Sequence, residues 1–157
     1  MAITGRNMNV GAKMGTAVIA GNSTAVSGLG VSPRSSMKVE ELGLTVAGVN
    51  DAVTPFDLGG AVVVEFRVLS GGSSNLSAFL AGMGDVVATC TMTSATTTGS
   101  QFTTRDGTLA WAAAYQDPSA RVFPAGSILM ARGNGSGNAA DTIVVYGATS
   151  ESGAPPA

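Results

Sequence analysis

The segment Leu58-Gly-Gly-Ala-Val-Val-Val-Glu-Phe-Arg-Val-Leu69 constrains the fold more than any other part of the chain. On an extended backbone Val62, Val64, Phe66 and Val68 fall on one side, and Val63, Glu65 and Arg67 on the other. A period of two is the mark of a strand with one face in a core and the other toward solvent. The same period recurs in Met37–Val46, which alternates after Glu41 and puts Leu42, Leu44 and Val46 on one face. It recurs again in Asp85–Thr93, where Val86, Ala88, Cys90 and Met92 stand opposite Val87, Thr89, Thr91 and Thr93. Cys90 therefore reads as a small buried hydrophobe, the commoner fate of a single cysteine.

Further strands are expected at Thr108–Tyr115, which carries Trp111 and Tyr115 between the turn pairs Asp106-Gly107 and Asp117-Pro118, at Ser127–Ala131 and at Asp141–Ala148. A short helical turn is expected at Asn75–Gly82, with Leu76, Phe79 and Leu80 at helical spacing. About eight short strands separated by Gly, Asp and Pro turns predict an all-β fold, a jelly-roll-like antiparallel sandwich or barrel. The chain of 157 residues is long enough for one such domain.

Residues 1–36 follow a different pattern. Small and polar residues there surround isolated Met8, Val10, Met14, Val18, Ile19, Val26, Leu29 and Val31, and no helical period persists. An extended N-terminal arm over 1–36 is expected, followed by a β-sandwich domain over 37–149 and a flexible, Pro-terminated tail over 150–157. Gly133–Asn138 reads as a flexible loop tip. The run Met14–Ala20 is too short and too interrupted by Gly15 and Thr16 for an ordinary signal segment. Nothing approaches the ~20 apolar residues of a transmembrane helix.

Composition narrows the chemistry. A formal charge of −2 and eight scattered Lys and Arg residues do not make a nucleic-acid or polybasic membrane surface. With no His the usual general base and the commonest metal ligand are missing, and one Cys makes no intrachain disulfide. Carboxylates are few and fall mostly in expected turns. The loop oxygens of Asn134, Ser136, Asn138 and Asp141 lack the acidic density of a calcium loop. No catalytic residue, metal ligand or cofactor site is expected, and the chain reads as a non-enzyme. Only 11% of residues are charged, against about 25% in ordinary soluble domains. Subunits that bury surface against other chains are depleted in charge at their interface centres.

In its layout the chain resembles the capsid decoration, or cement, proteins of tailed bacteriophage heads. The likeness lies in the Met1-Ala2-Ile3-Thr4 start, the Gly/Ala/Ser/Thr-rich arm, and the sequence from Phe123-Pro-Ala-Gly-Ser-Ile-Leu129 through the Gly/Asn loop to Ala140-Asp-Thr-Ile-Val-Val-Tyr146. The resemblance implies a jelly-roll-like β-fold and a homotrimer seated on the major capsid protein at the outer surface of the virion. It also implies stabilisation of the filled head, with neither nucleic acid nor membrane as a partner. On that footing Met8, Val10, Met14, Val18, Ile19, Val26 and Leu29 of the arm would form the interface with capsid or neighbouring subunits. A phage tail or fibre component, binding host receptor or glycan through loops 71–75 and 133–138, is the alternative. An exported adhesin and a glycan-active enzyme are further rivals.

Overall fold

The alternation at Val62–Val68 lies in the middle of a sheet: the side chains of Val62, Val64, Phe66 and Val68 are all buried, while Val63, Glu65 and Arg67 are half-buried on the opposite face. A computed structural model of the chain describes residues 13–32, 35–50, 61–69, 84–92, 101–137 and 142–152. Among these residues there are ten strands. They are β1 (Lys13–Ala20), β2 (Val26–Ser32), β3 (Ser36–Asn50), β4 (Val62–Leu69), β5 (Asp85–Met92), β6 (Gln101–Asp106), β7 (Thr108–Trp111), β8 (Val122–Phe123), β9 (Ser127–Gly133) and β10 (Thr142–Ser152). Two antiparallel sheets result. The first has the order β1-β10-β3-β6 with β8 also beside β3, and the second β2-β9-β4-β5-β7.

The pairing is that of one long hairpin rolled upon itself. Leaving aside the short β7 and β8, the first strand pairs with the last (β1 with β10), the second with the next to last (β2 with β9), then β3 with β6 and β4 with β5. Rolling adds β10 beside β3 and β9 beside β4. This is the jelly-roll arrangement, two sheets whose inner faces share one core. Ile19, Leu29, Leu42, Leu44, Val64, Phe66, Cys90, Leu129, Ile143 and Val145 belong to that core. Each fully buried aliphatic or Phe side chain contributes about 1.5–3 kcal/mol.

Two bulges explain where the simple period fails. In β3 the partners of Ala148 and Thr149 are Glu41 and Val39, so Glu40 is the extra residue. The phase therefore changes there, from Met37 and Val39 facing inward to Leu42 and Leu44. In β5, Phe66 pairs with Ala88 and Arg67 with Val86, which leaves Val87 unpaired. An extra residue reverses the alternation beyond it. Val87 is accordingly buried and Val86 only half so, which corrects the expectation that Val86 shares a face with Ala88.

Three further expectations change. Residues 13–32 are not an arm on the outside of the domain: β1 and β2 are strands of the two sheets, and Ile19 and Leu29 are core residues. Isolated apolar residues among glycines suffice for a strand when neighbouring strands supply the remaining contacts. Residues 150–152 belong to β10 rather than to a tail. The strand expected over Thr108–Tyr115 ends at Trp111 and gives way to 3-10 turns at Ala113–Tyr115 and Pro118–Ala120. The expected helical turn at 75–82 and the loop 71–75 lie outside the described residues.

Candidate functional site

The outer face of the first sheet has a charged end and a more apolar part centred on β1 and β10. Lys38 and Glu40 form an exposed pair at 3.9 Å, and Ser150 Oγ donates to Glu40 at 2.7 Å. Across the apolar part run Met14, Thr16 and Val18 of β1, Ala148, Tyr146 and Val144 of β10, and Gly43 and Thr45 of β3, in register from strand to strand, with the exposed Glu41 in register with Ala148 and Asp106 of β6 in register with Thr45. Met14 is 66% and Val18 71% exposed, the largest values among the described large apolar side chains. Tyr146 lies flat over β3 because Gly43 offers no side chain: a Cβ there would meet the ring, with Cε1 at 2.7 Å.

Of the seven interface residues expected from sequence, Met14 and Val18 are exposed on this face, on either side of Thr16. Ile19 (4% exposed) and Leu29 (6%) are packed inside, which removes them from any interface. Side chains alternate along β1, so neighbours in the sequence such as Val18 and Ile19 point to opposite faces. Val26 is half-buried, and Met8 and Val10 lie outside the described residues. Val144 and Tyr146 were not singled out from sequence, although the period of two in Thr142–Ala148 places them opposite Ile143 and Val145.

A cleft of about 240 Å³ opens on the second sheet, lined by Thr24, Val63, Glu65, Arg132, Gly133 and Asn134. Glu65 and Arg132 are cross-strand partners, yet Glu65 Oε2 accepts from Arg67, at 2.6 Å from Nη2 and 3.1 Å from Nε. Arg132 Nε instead donates to the Thr24 carbonyl at 3.0 Å. The loop after β9 is anchored over residues 133–137, which corrects its reading as a flexible tip. Asn134 N donates to Val63 O at 2.9 Å, its Nδ2 to Ala61 O at 2.9 Å, and Gly137 N to Gly21 O at 3.0 Å. Asn134 Oδ1 accepts from Ser136 N, so the Asn134 side chain is held by the loop itself. Asn138 and Asp141 lie outside the described residues. Among the described residues no group of three metal-ligating side chains comes together, and no helix is long and apolar enough to cross a membrane.

The connection from β7 to β8 is built on Arg121. Its guanidinium lies 3.6 Å from the centre of the Trp111 ring, Nε donates to Tyr115 O at 2.8 Å and Nη2 to Gln116 O at 3.0 Å. Gln116 Nε2 donates to Trp111 O at 2.8 Å, and Tyr115 packs on Phe123 with ring centres 5.6 Å apart. Asp117 caps the second 3-10 turn, and the bonds from Ser119 N and Ser119 hold its carboxyl below the usual carboxylate range. Burial, and then the charge of Asp85, push the Tyr115 phenol above its usual value. None of this cluster was legible as a unit in the sequence, since Trp111 and Arg121 are brought together only by the two turns.

No protein-family model matches the chain, and no curated protein matches it. A solved structure described as that of infectious bursal disease virus Gx strain overlaps 92% of this chain and 35% of its own, at 12% identity and a TM-score of 0.30. This chain thus spans about a third of that one's length, and at that TM-score the overlap carries no information about function.

Proposed function

We propose that this protein is a structural component of a bacteriophage virion that binds the outer surface of the capsid and stabilises the head by bridging major capsid subunits. The observation that carries this reading is the exposed apolar patch of Met14 and Val18 beside Val144 and Tyr146, bordered by Glu41 and set on a jelly-roll domain. A face of that kind loses little on desolvation and gains from being covered, whereas a charged one would have to be paired residue by residue. The sequence layout shared with cement proteins points the same way. Many weak copies on a repeating lattice hold by avidity, so no deep pocket is needed. No cofactor enters this function.

The test is addition of the purified protein to filled heads that lack a decoration protein, followed by co-sedimentation and imaging. Saturable density on the outer surface and a higher temperature of genome release are expected. Heads that bind none of it at about 10 μM, well above the affinity of a specific standard-sized interface, refute the reading. The cleft beside Arg132 and Asn134 favours one other reading, a tail or fibre domain that binds a glycan. Binding of a neutral oligosaccharide that is lost in Arg132→Ala would decide for it.

A further inference from the structure

The four sheet edges are not treated alike. An open edge offers unpaired N–H and C=O groups to any passing strand, and proteins blunt it with charge, proline, shortness or a bulge. At the edges of the second sheet, β7 has only four residues, and β2 carries a bulge between Gly28 and Gly30. The edge strand β6 of the first sheet has six residues, with Arg105 and Asp106 in its sequence. The remaining edge, β1, has eight residues, runs in unbroken register with β10 from Lys13 to Ala20, and holds no charge after Lys13 and no proline. It also presents Met14 and Val18, the two most exposed large apolar side chains described. No strand lies on its far side among the described residues.

We infer that β1 pairs with β1 of a second copy, antiparallel about a two-fold axis at Thr16, so that the first sheets of two molecules become continuous. The strand is self-complementary in that register. Met14 of one copy stands beside Val18 of the other, twice, on the outer face, and Thr16 meets Thr16. On the inner side Gly15 meets Ala17, too small to clash, and Lys13 of each copy falls opposite Ile19 of the other at the two ends of the pairing. The only charges on the strand, the two Lys13 ammonium groups, are six residues apart along it, about 20 Å. That exceeds the Debye length of about 8–10 Å and leaves no repulsion to oppose the pairing. A two-fold contact uses the same patch twice and closes at two subunits. The inference is independent of the capsid reading, because it concerns the purified chain alone.

Sedimentation of the wild-type chain from about 1 μM to about 1 mM should show monomer passing to dimer. Val18→Lys should raise the dissociation constant at least about tenfold while leaving the urea midpoint measured below the dimerisation range unchanged, since the side chain is exposed. Under oxidation Thr16→Cys should cross-link to itself, because Cβ atoms directly opposite lie about 4.5–5.5 Å apart. Ala20→Cys, four residues from the axis, should not. A wild type that stays monomeric, a trimer, a dimer indifferent to Val18→Lys, or cross-linking through Ala20→Cys in place of Thr16→Cys would each overturn the inference.

Discussion

Gly15 lies where the edges of the two sheets come closest, and replacing it with alanine isolates one steric term. A Cβ built on Gly15 would stand 2.6 Å from the Leu29 carbonyl carbon and nearer still to its oxygen. An ordinary contact needs about 3.5–4.0 Å, so the backbones of β1 and β2 must separate by more than 1 Å. That shift pulls Ile19 and Leu29 away from a close-packed core, and overpacking of this kind costs about 1–3 kcal/mol, rising when backbone rather than a side chain is struck. Gly30→Ala in β2 is the control. Its Cβ would meet only the Thr149 side chain, at 3.6 and 3.8 Å, and neither glycine has a positive φ. Both substitutions remove similar backbone freedom from the unfolded chain, a stabilisation of about 0.4–1 kcal/mol that cancels between them. Urea unfolding of the two variants below the dimerisation range should therefore differ by about 3 kcal/mol, or about 6–12 °C in Tm for a domain of this size. Two variants within about 0.5 kcal/mol of each other, the ordinary spread of neutral substitutions, would show that the sheets are not locked at this point.

Arg121→Ala should loosen the segment between β7 and β8 by about 2 kcal/mol, through loss of the ring contact and two charge-assisted bonds; Trp111 is the single tryptophan, so its fluorescence reports the change directly. Arg121→Lys should recover only part, as an ammonium cannot reach both carbonyls while lying flat on the indole. Tyr115 keeps its proton above pH 10.0 in the folded chain, where the unfolded chain releases it. Its contribution is thus complete below pH 10 and is lost as pH rises beyond, so stability should fall on that limb, less steeply in Tyr115→Phe. Phe66→Ala removes the largest fully buried side chain among the described residues and should cost about 3–5 kcal/mol by urea unfolding.

Sequence periodicity locates strands well where the hydrophobic face is continuous. Val62–Val68 and Leu42–Leu44 were legible because each inward residue is apolar and, Val63 aside, each outward neighbour is different in kind. The period fails at Val87, where one unpaired residue reverses the phase among residues that are apolar on both sides. It fails in β1 and β2 for a different reason. Ile19 sits beside an equally apolar Val18 and Leu29 is a single apolar residue among small ones, so which of them is buried depends on strands far away in the chain. The ending of β7 at Trp111 was ambiguous, since Ala112 to Ala114 favour a helical turn while Trp111 and Tyr115 favour a strand, and the turns held by Arg121 decide it.

By itself the sequence determined that the chain is all-β, that its charge is sparse and scattered, and that Cys90 is a core residue. Those properties follow from local spacing and residue type. Only the tertiary structure decided the rolled order, because pairs such as Lys13 with Thr149 join the two ends of the chain and carry no local signature. It also decided which apolar residues near the N-terminus are core and which are surface. Ile19 and Val18 are adjacent and chemically alike, and only the position of the opposing sheet gives one of them a place inside and leaves the other exposed.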